Sequence, residues 1–247
     1  MHRRRLLSNA LAFAVSLAWI GPAVPAAEDP AQPAPRTREY PWMSTAAWKQ
    51  RHEGLLQRTK QGGADLLFLG DSITEGWGTN AVWQKHYAPR KAANFGIGGD
   101  TTQNVLWRLA NGEGDGLKPR AAVLLIGTNN FGLHGDKPDD VARGVAAVVA
   151  ALRQKFPPAK VLLLGIFPRD EKANAPIRKS IRAANDRIAK LENGKTVRYL
   201  DLGAKLCDEK GDLPKDVMPD ALHLSDKGYA IWAETMNPLL QSMLGGT

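Results

Sequence analysis

The chain predicts an α/β protein built on a doubly wound parallel sheet of about five strands. Three observations carry this. Apolar runs at Leu66–Leu69, Ala122–Ile126 and Val161–Ile166 are nearly continuous in leucine, isoleucine and valine, as expected for parallel strands covered on both faces. Helical patterns alternate with them, which argues for strand-helix-strand units. Polar residues follow three successive strands, at the carboxyl ends where such folds bind ligands.

The elements follow in chain order. His2-Arg3-Arg4-Arg5, an apolar core from Leu11 to Ile20 and the small residues Val24-Pro25-Ala26 read as a signal peptide over 1–26. The apolar core is too short to span a bilayer comfortably. These features predict export to a periplasmic or secreted location, with no stable membrane insertion after cleavage. Residues 27–41 carry Pro30, Pro33, Pro35 and Pro41 among alanines and charges and read as a linker. Residues 42–247 then form a single domain, a length that suits one well-buried core.

Trp42 and Trp48 open a helical stretch to about Gln61; either tryptophan could serve as a ligand platform, but packing of this segment onto the domain is the expected use. Weaker strands are predicted at Ala92–Phe95 and Val197–Leu200. Helices are predicted near Thr101–Asn111, Asp139–Phe156, Pro176–Asn193 and Ser225–Leu244.

Composition excludes several classes. The formal charge of +8 becomes +5 once Arg3, Arg4 and Arg5 are removed. The remaining basic residues are scattered without an aromatic-laced stripe, so nucleic acid is not an expected partner. Cys207 is the sole cysteine, which rules out an internal disulfide and reads as a packed thiol. Neither His-Glu-x-x-His nor a Cys/His cluster is present, so no metal ligand set is visible.

Chemistry concentrates after the first strand, at Gly70-Asp71-Ser72-Ile73-Thr74. A serine hydroxyl there, between an acidic residue and a helix start, is a candidate nucleophile, but it needs a base. His52 and His86 lie in charged helical surroundings and are expected at the surface; His134 lies in a loop without a local partner. His223 differs because Asp220 precedes it by three residues, just ahead of a helix. On a tight turn that spacing brings a carboxylate to the imidazole Nδ1 and sets the tautomer. Candidate donors to a developing oxyanion are the backbone N–H groups of Ser72 and Gly99 and the side-chain amide of Asn129. Taken singly, Gly98-Gly99 is an ordinary turn and Asn129 a loop residue bonding its own backbone. Thr74 stands where the α/β-hydrolase nucleophile elbow has glycine.

In order along the chain, Gly70-Asp71-Ser72-Ile73, the segment ending in Gly99, Gly127-Thr128-Asn129-Asn130 and Asp220-x-x-His223 resemble the four blocks of the SGNH, or GDSL, hydrolases. Within that family, Asn94 to Thr102 and Val105 to Leu109 resemble the catalytic subunits of intracellular platelet-activating-factor acetylhydrolase. The resemblance implies a flavodoxin-like three-layer α/β/α sandwich and no cofactor. It implies Ser72 as nucleophile, His223 as base and Asp220 as its orienter, with Ser72, Gly99 and Asn129 forming the oxyanion hole. It also implies a homodimer. The expected activity is a serine esterase releasing a short acyl group, acetyl above all, from a small-molecule or polysaccharide ester. The weighed alternatives are an acyltransferase acting on a sugar hydroxyl and a non-catalytic glycan- or lipid-binding module.

Overall fold

The computed structural model describes residues 28–78 and 80–245. Five strands form one sheet: β1 Leu66–Gly70, β2 Ala92–Gly96, β3 Ala121–Leu125, β4 Lys160–Leu164 and β5 Val197–Leu200. Their order is β2-β1-β3-β4-β5, and every pairing is parallel. The sheet is flanked by helices on both faces, as the apolar runs required. The helices are α1 Thr45–Lys60, α2 Ser72–Glu75, α3 Ala81–His86, α4 Thr102–Ala110, α5 Pro138–Lys155, α6 Pro176–Ile188 and α7 Asp226–Met243.

Alternation along each strand divides the core in two. Leu67 and Leu69 face Val105, Val145, Val148 and Ile181, on the side of α4, α5 and α6. Leu66 and Phe68 face the opposite side, among Trp77, Trp83, Tyr87 and the α7 residues Tyr229, Trp232 and Met236. Aromatic edges interlock there. Trp77 lies 4.6 Å from Tyr229 and 4.9 Å from Trp232, ring centre to ring centre.

The helix ends follow local chemistry. Ser44 caps α1, its hydroxyl accepting the Ala47 amide at 3.0 Å. Helix α5 opens on Pro138 with Asp139 and Asp140 in its first turn and closes on Arg153 and Lys155, which suits the helix dipole. Ser225 caps α7 through the Gly228 amide. Helix α6 is shorter than its sequence pattern, passing into a 3₁₀ turn at Ala189–Leu191. The short helix α3 was not expected, since it is too short to show a period, whereas α2 is the helix start expected at Ser72.

Two further expectations change. Residues 28–41 do not run free as a spacer; they form a strap laid across the domain. Its backbone meets α4 where the Ala34 N–H donates to Gln103 O at 3.1 Å, and Thr102 Oγ1 donates to Pro30 O at 2.8 Å. His52 is buried rather than at the surface, wedged between Trp48 and Trp107. The signal-peptide expectation falls on residues 1–26, outside the described residues. Among the described residues no helix is long and apolar enough to cross a membrane.

Trp77 is fully buried at the centre of the aromatic layer. Trp77→Ala should therefore cost about 3–5 kcal/mol of stability, read as a lower urea midpoint with the far-ultraviolet helix signal retained at zero denaturant.

Candidate active site

Ser72 begins α2, two residues beyond the end of β1. Asp71 makes that abrupt strand-to-helix change possible by accepting the Ile73 amide at 2.9 Å. As the first residue of a helix, Ser72 has no intrahelical acceptor for its own N–H. Helix α7 braces the turn from behind: Tyr229 Oη donates to Ile73 O at 2.9 Å. A methyl group at Gly70 would come within 2.3 Å of Leu125 O, so β1 and β3 approach too closely there for any larger residue.

His223 sits on the loop leading into α7. Asp220 builds this loop as well as orienting the ring. Its Oδ1 accepts the amides of Leu222 at 3.0 Å and His223 at 2.7 Å, while Oδ2 lies 2.7 Å from His223 Nδ1. Ala221 takes a left-handed φ of 57° between them. Burial would raise the Asp220 carboxyl, but the His223 amide and imidazole hold it below the ordinary carboxylate range. The far side of the ring meets the serine, with Ser72 Oγ 2.9 Å from His223 Nε2. The hydroxyl, imidazole and carboxylate thus form one hydrogen-bonded chain, although Ser72 and His223 are 151 positions apart.

The glycine loop after β2 lies beside the serine. A methyl group at Gly98 would be 3.8 Å from Ser72 Cβ. Gly98 is gripped on both sides: its N–H donates to Glu75 Oε2 at 2.8 Å and its carbonyl accepts Arg36 Nη2 at 2.7 Å. In a trans peptide the carbonyl and the following N–H point opposite ways. Arg36 therefore sets the direction of the Gly99 N–H. Gly99 itself has φ of 75°, a conformation that favours glycine. Asn129 donates to Asp100 O at 3.0 Å and so is tied to the same loop. Among the described residues its second amide hydrogen has no protein acceptor.

Beneath this loop lies a buried charge cluster. The Asp100 carboxylate accepts Trp48 Nε1 at 2.6 Å and pairs with Arg36 at 3.3 Å and Arg108 Nε at 2.8 Å. Arg108 also binds the Glu113 carboxylate and the strand-end carbonyls of Phe95 and Gly70. Burial pushes the Asp100 carboxyl up to about 6 against the pull of Arg108 and Arg36. Asp71 is fully buried with Oδ2 lacking a hydrogen-bond partner. Burial pushes its carboxyl up to about 7, opposed by the Ile73 amide.

Of the other candidates, His134 lies beneath the strap with its Nδ1 3.4 Å from Gln103 Nε2. Cys207 is half-buried beside Arg178. Trp48 is fully buried, but Trp42 is 54% exposed. Arg36 and Glu75, which grip the glycine loop, were missed in the sequence. Glu75 had a readable signal three residues after the serine; Arg36 had none within a proline-rich stretch. Among the described residues, no group of three or more His, Cys, Asp or Glu could hold a metal ion.

Residues 68–231 match the model of the GDSL-like Lipase/Acylhydrolase family. The chain belongs to this family. It is 36% identical over 204 residues to the platelet-activating factor acetylhydrolase IB subunit alpha2 of Rattus norvegicus, covering 81% of this chain and 86% of the relative. Solved structures share the fold. A GDSL-like lipase from Bacteroides thetaiotaomicron superposes with a TM-score of 0.62 at 19% identity, covering 80% of this chain and 98% of that one. An acetylxylan esterase from Geobacillus stearothermophilus does so at 0.55 and 19%, covering 75% and 96%. The three-layer α/β/α sandwich and the assignment as a carboxylic ester hydrolase stand on these matches. The expectation of export is corrected by them: the curated relatives are subunits of the intracellular acetylhydrolase, and no periplasmic or secreted location is assigned.

The Asp71 carboxyl, at about 7 folded and 3.8 unfolded, holds a proton in the native state that the unfolded chain has lost. Stability from this group is thus full below about pH 4 and is lost as pH rises to about 7. Asp71→Asn keeps the acceptor for Ile73 and mimics the protonated form. Its stability relative to the parent should rise by a few kcal/mol between about pH 4 and 7, read from urea midpoints across that range.

Proposed function

We propose that the protein is a serine esterase that hydrolyses short-chain, above all acetyl, esters of a carbohydrate or lipid through an acyl-Ser72 intermediate. The single observation that carries this reading is the relay from Ser72 Oγ through the His223 ring to Asp220, with contacts of 2.9 and 2.7 Å. An unassisted hydroxyl is a poor nucleophile, and an imidazole held in one tautomer by a carboxylate supplies the missing base.

In the first half-reaction His223 Nε2 takes the Ser72 proton as Oγ bonds to the ester carbonyl carbon. The tetrahedral oxyanion is stabilised by the N–H groups of Ser72 and Gly99 and by the Asn129 amide, each such donor being worth about 10²–10³ in turnover. Collapse breaks the bond to the alcohol, which leaves with the proton from His223. Water then gives a proton to His223 and attacks the acyl carbon. Breakdown of the second intermediate frees the acid and returns the proton to Ser72. The Asp220 carboxylate stays ionised throughout and stabilises the transient imidazolium.

The grip on Gly98 supports the oxyanion assignment, because it aims the neighbouring N–H before substrate arrives. The acetyl-ester activities named for the relatives favour a short acyl group.

Ser72→Ala should abolish turnover of p-nitrophenyl acetate while leaving the circular dichroism spectrum and melting temperature close to the parent's. The parent, but not the variant, should be labelled at residue 72 by an organophosphonate ester. Substantial residual turnover in the variant would end the proposal.

A further inference from the structure

Trp42 is the one large apolar side chain exposed among the described residues, and it stands at the edge of the Ser72 site. The rim of its indole rests on Gly99: a methyl group there would come within 2.3 Å of Cη2 and 2.9 Å of Cζ3. Its mount is rigid. Tyr40-Pro41-Trp42-Met43 closes as a reverse turn, with Met43 N donating to Tyr40 O at 3.0 Å and Tyr40 N to Met43 O at 3.1 Å. Pro41 fixes φ at the second position of that turn. Tyr40 stacks on the indole at 4.8 Å and 9°, and the Met43 side chain is buried beneath. An aromatic plate is thus presented to solvent, already oriented, next to a candidate oxyanion donor.

We propose that Trp42 is a specificity-determining residue of the ester hydrolysis, its open indole face stacking on the sugar ring that carries the acetyl group. The inference rests on the Ser72 esterase reading and adds to it the class of alcohol. A pyranose presents C–H groups on its face and hydroxyls around its rim. One aromatic plate bordered by polar groups satisfies both. Polar groups lie around the residues that Trp42 touches, Gly99 and Tyr40. The half-exposed Arg51–Glu75 pair grips the Gly98 side of the loop. Arg38, Glu28 and His134 line a small crevice with Gly99 and Tyr40.

A long alkyl chain needs a contiguous apolar surface, and among the described residues Trp42 has no exposed large apolar neighbour. A quaternary ammonium headgroup would meet the Arg36 guanidinium, which already lies 5.7 Å from the Tyr40 and Trp42 ring centres. That like charge opposes a second cation on the same aromatic pair.

The test compares kcat/KM for an acetylated methyl pyranoside, for ethyl acetate, whose alcohol has no ring, and for a short-chain acetyl phospholipid. The full chain is assayed alongside Trp42→Ala and Trp42→Phe. The ratio of sugar acetate to ethyl acetate should fall about tenfold in Trp42→Ala and recover most of its value in Trp42→Phe. Melting curves establish that each variant is folded; should alanine unfold the turn, Trp42→Leu against Trp42→Phe carries the same comparison. A ratio within about twofold of the parent's in the variant lacking an aromatic ring overturns the proposal. Preference of the parent for the acetyl phospholipid, lost with Trp42, overturns it in favour of a lipid platform. A parent that cleaves ethyl acetate but shows no dependence on Trp42 sinks only this inference. A parent that cleaves no ester sinks the Ser72 reading and this inference with it.

Discussion

The site depends on one buried carboxylate, that of Asp100. The strap reaches it through Arg36, α1 through the Trp48 indole and α4 through Arg108, while its backbone carbonyl holds Asn129. Four segments, three of them distant from it in sequence, are registered on a single residue. The arrangement is expensive, since each ion loses its hydration and only close, well-directed partners offset that loss. A cluster of leucines would fill the same space with less penalty. It would not direct a peptide plane, because apolar contacts have no preferred direction. Charge-assisted hydrogen bonds do, and here the directed object is the loop from Gly98 to Asp100.

The two sides of the candidate centre are built on opposite principles. On the proposed oxyanion side Gly98, Gly99 and Asn129 are buried: Gly98 is held by Glu75 and Arg36, and Asn129 is bonded to the Asp100 carbonyl of the loop that Arg108 anchors. Donors fixed in advance need no reorganisation when charge develops, which is where electrostatic catalysis gains most. On the proposed base side, His223 and Asp220 stand half-exposed on a surface loop. Water can reach that imidazole, as a hydrolytic half-reaction requires. Its orientation comes from local chemistry instead, because Asp220 folds the loop and aligns the ring with the same carboxylate.

This division decides what could be read from the sequence. The strands were legible because burial on both faces leaves continuous apolar runs, and the five predicted runs lie within a residue or two of the observed strands. Ser72 was legible as the residue where such a run meets a helix start. His223 was legible because its partner is three residues away, and a loop that short encodes its own geometry. Arg36 was not legible, since its partners are 62 and 64 positions distant. Nothing in a proline- and alanine-rich neighbourhood marks one arginine for burial. His52 failed for a related reason: its neighbours in sequence are charged, but its helix face is decided by Trp48 four residues before it. Trp42 and Trp48 looked alike in sequence, yet only Trp48 is buried.

The composition that reads as a spacer has a second physical meaning once it is anchored. Prolines narrow the conformations open to the unfolded chain, so fixing such a segment costs less entropy than fixing an ordinary loop. Pro30, Pro33, Pro35 and Pro41 stiffen a strap that has no ladder of its own. A few strong attachments then suffice: Pro30 and Ala34 on α4, Arg36 in the charge cluster and Met43 in the core. Stiffness between anchors carries the constraint along the chain to Trp42. That residue stays in one place above Gly99 without itself being buried, which a flexible linker of equal length could not achieve. The neighbourhood of the candidate site therefore begins some thirty residues before Ser72, in a segment whose sequence alone gives no hint of order.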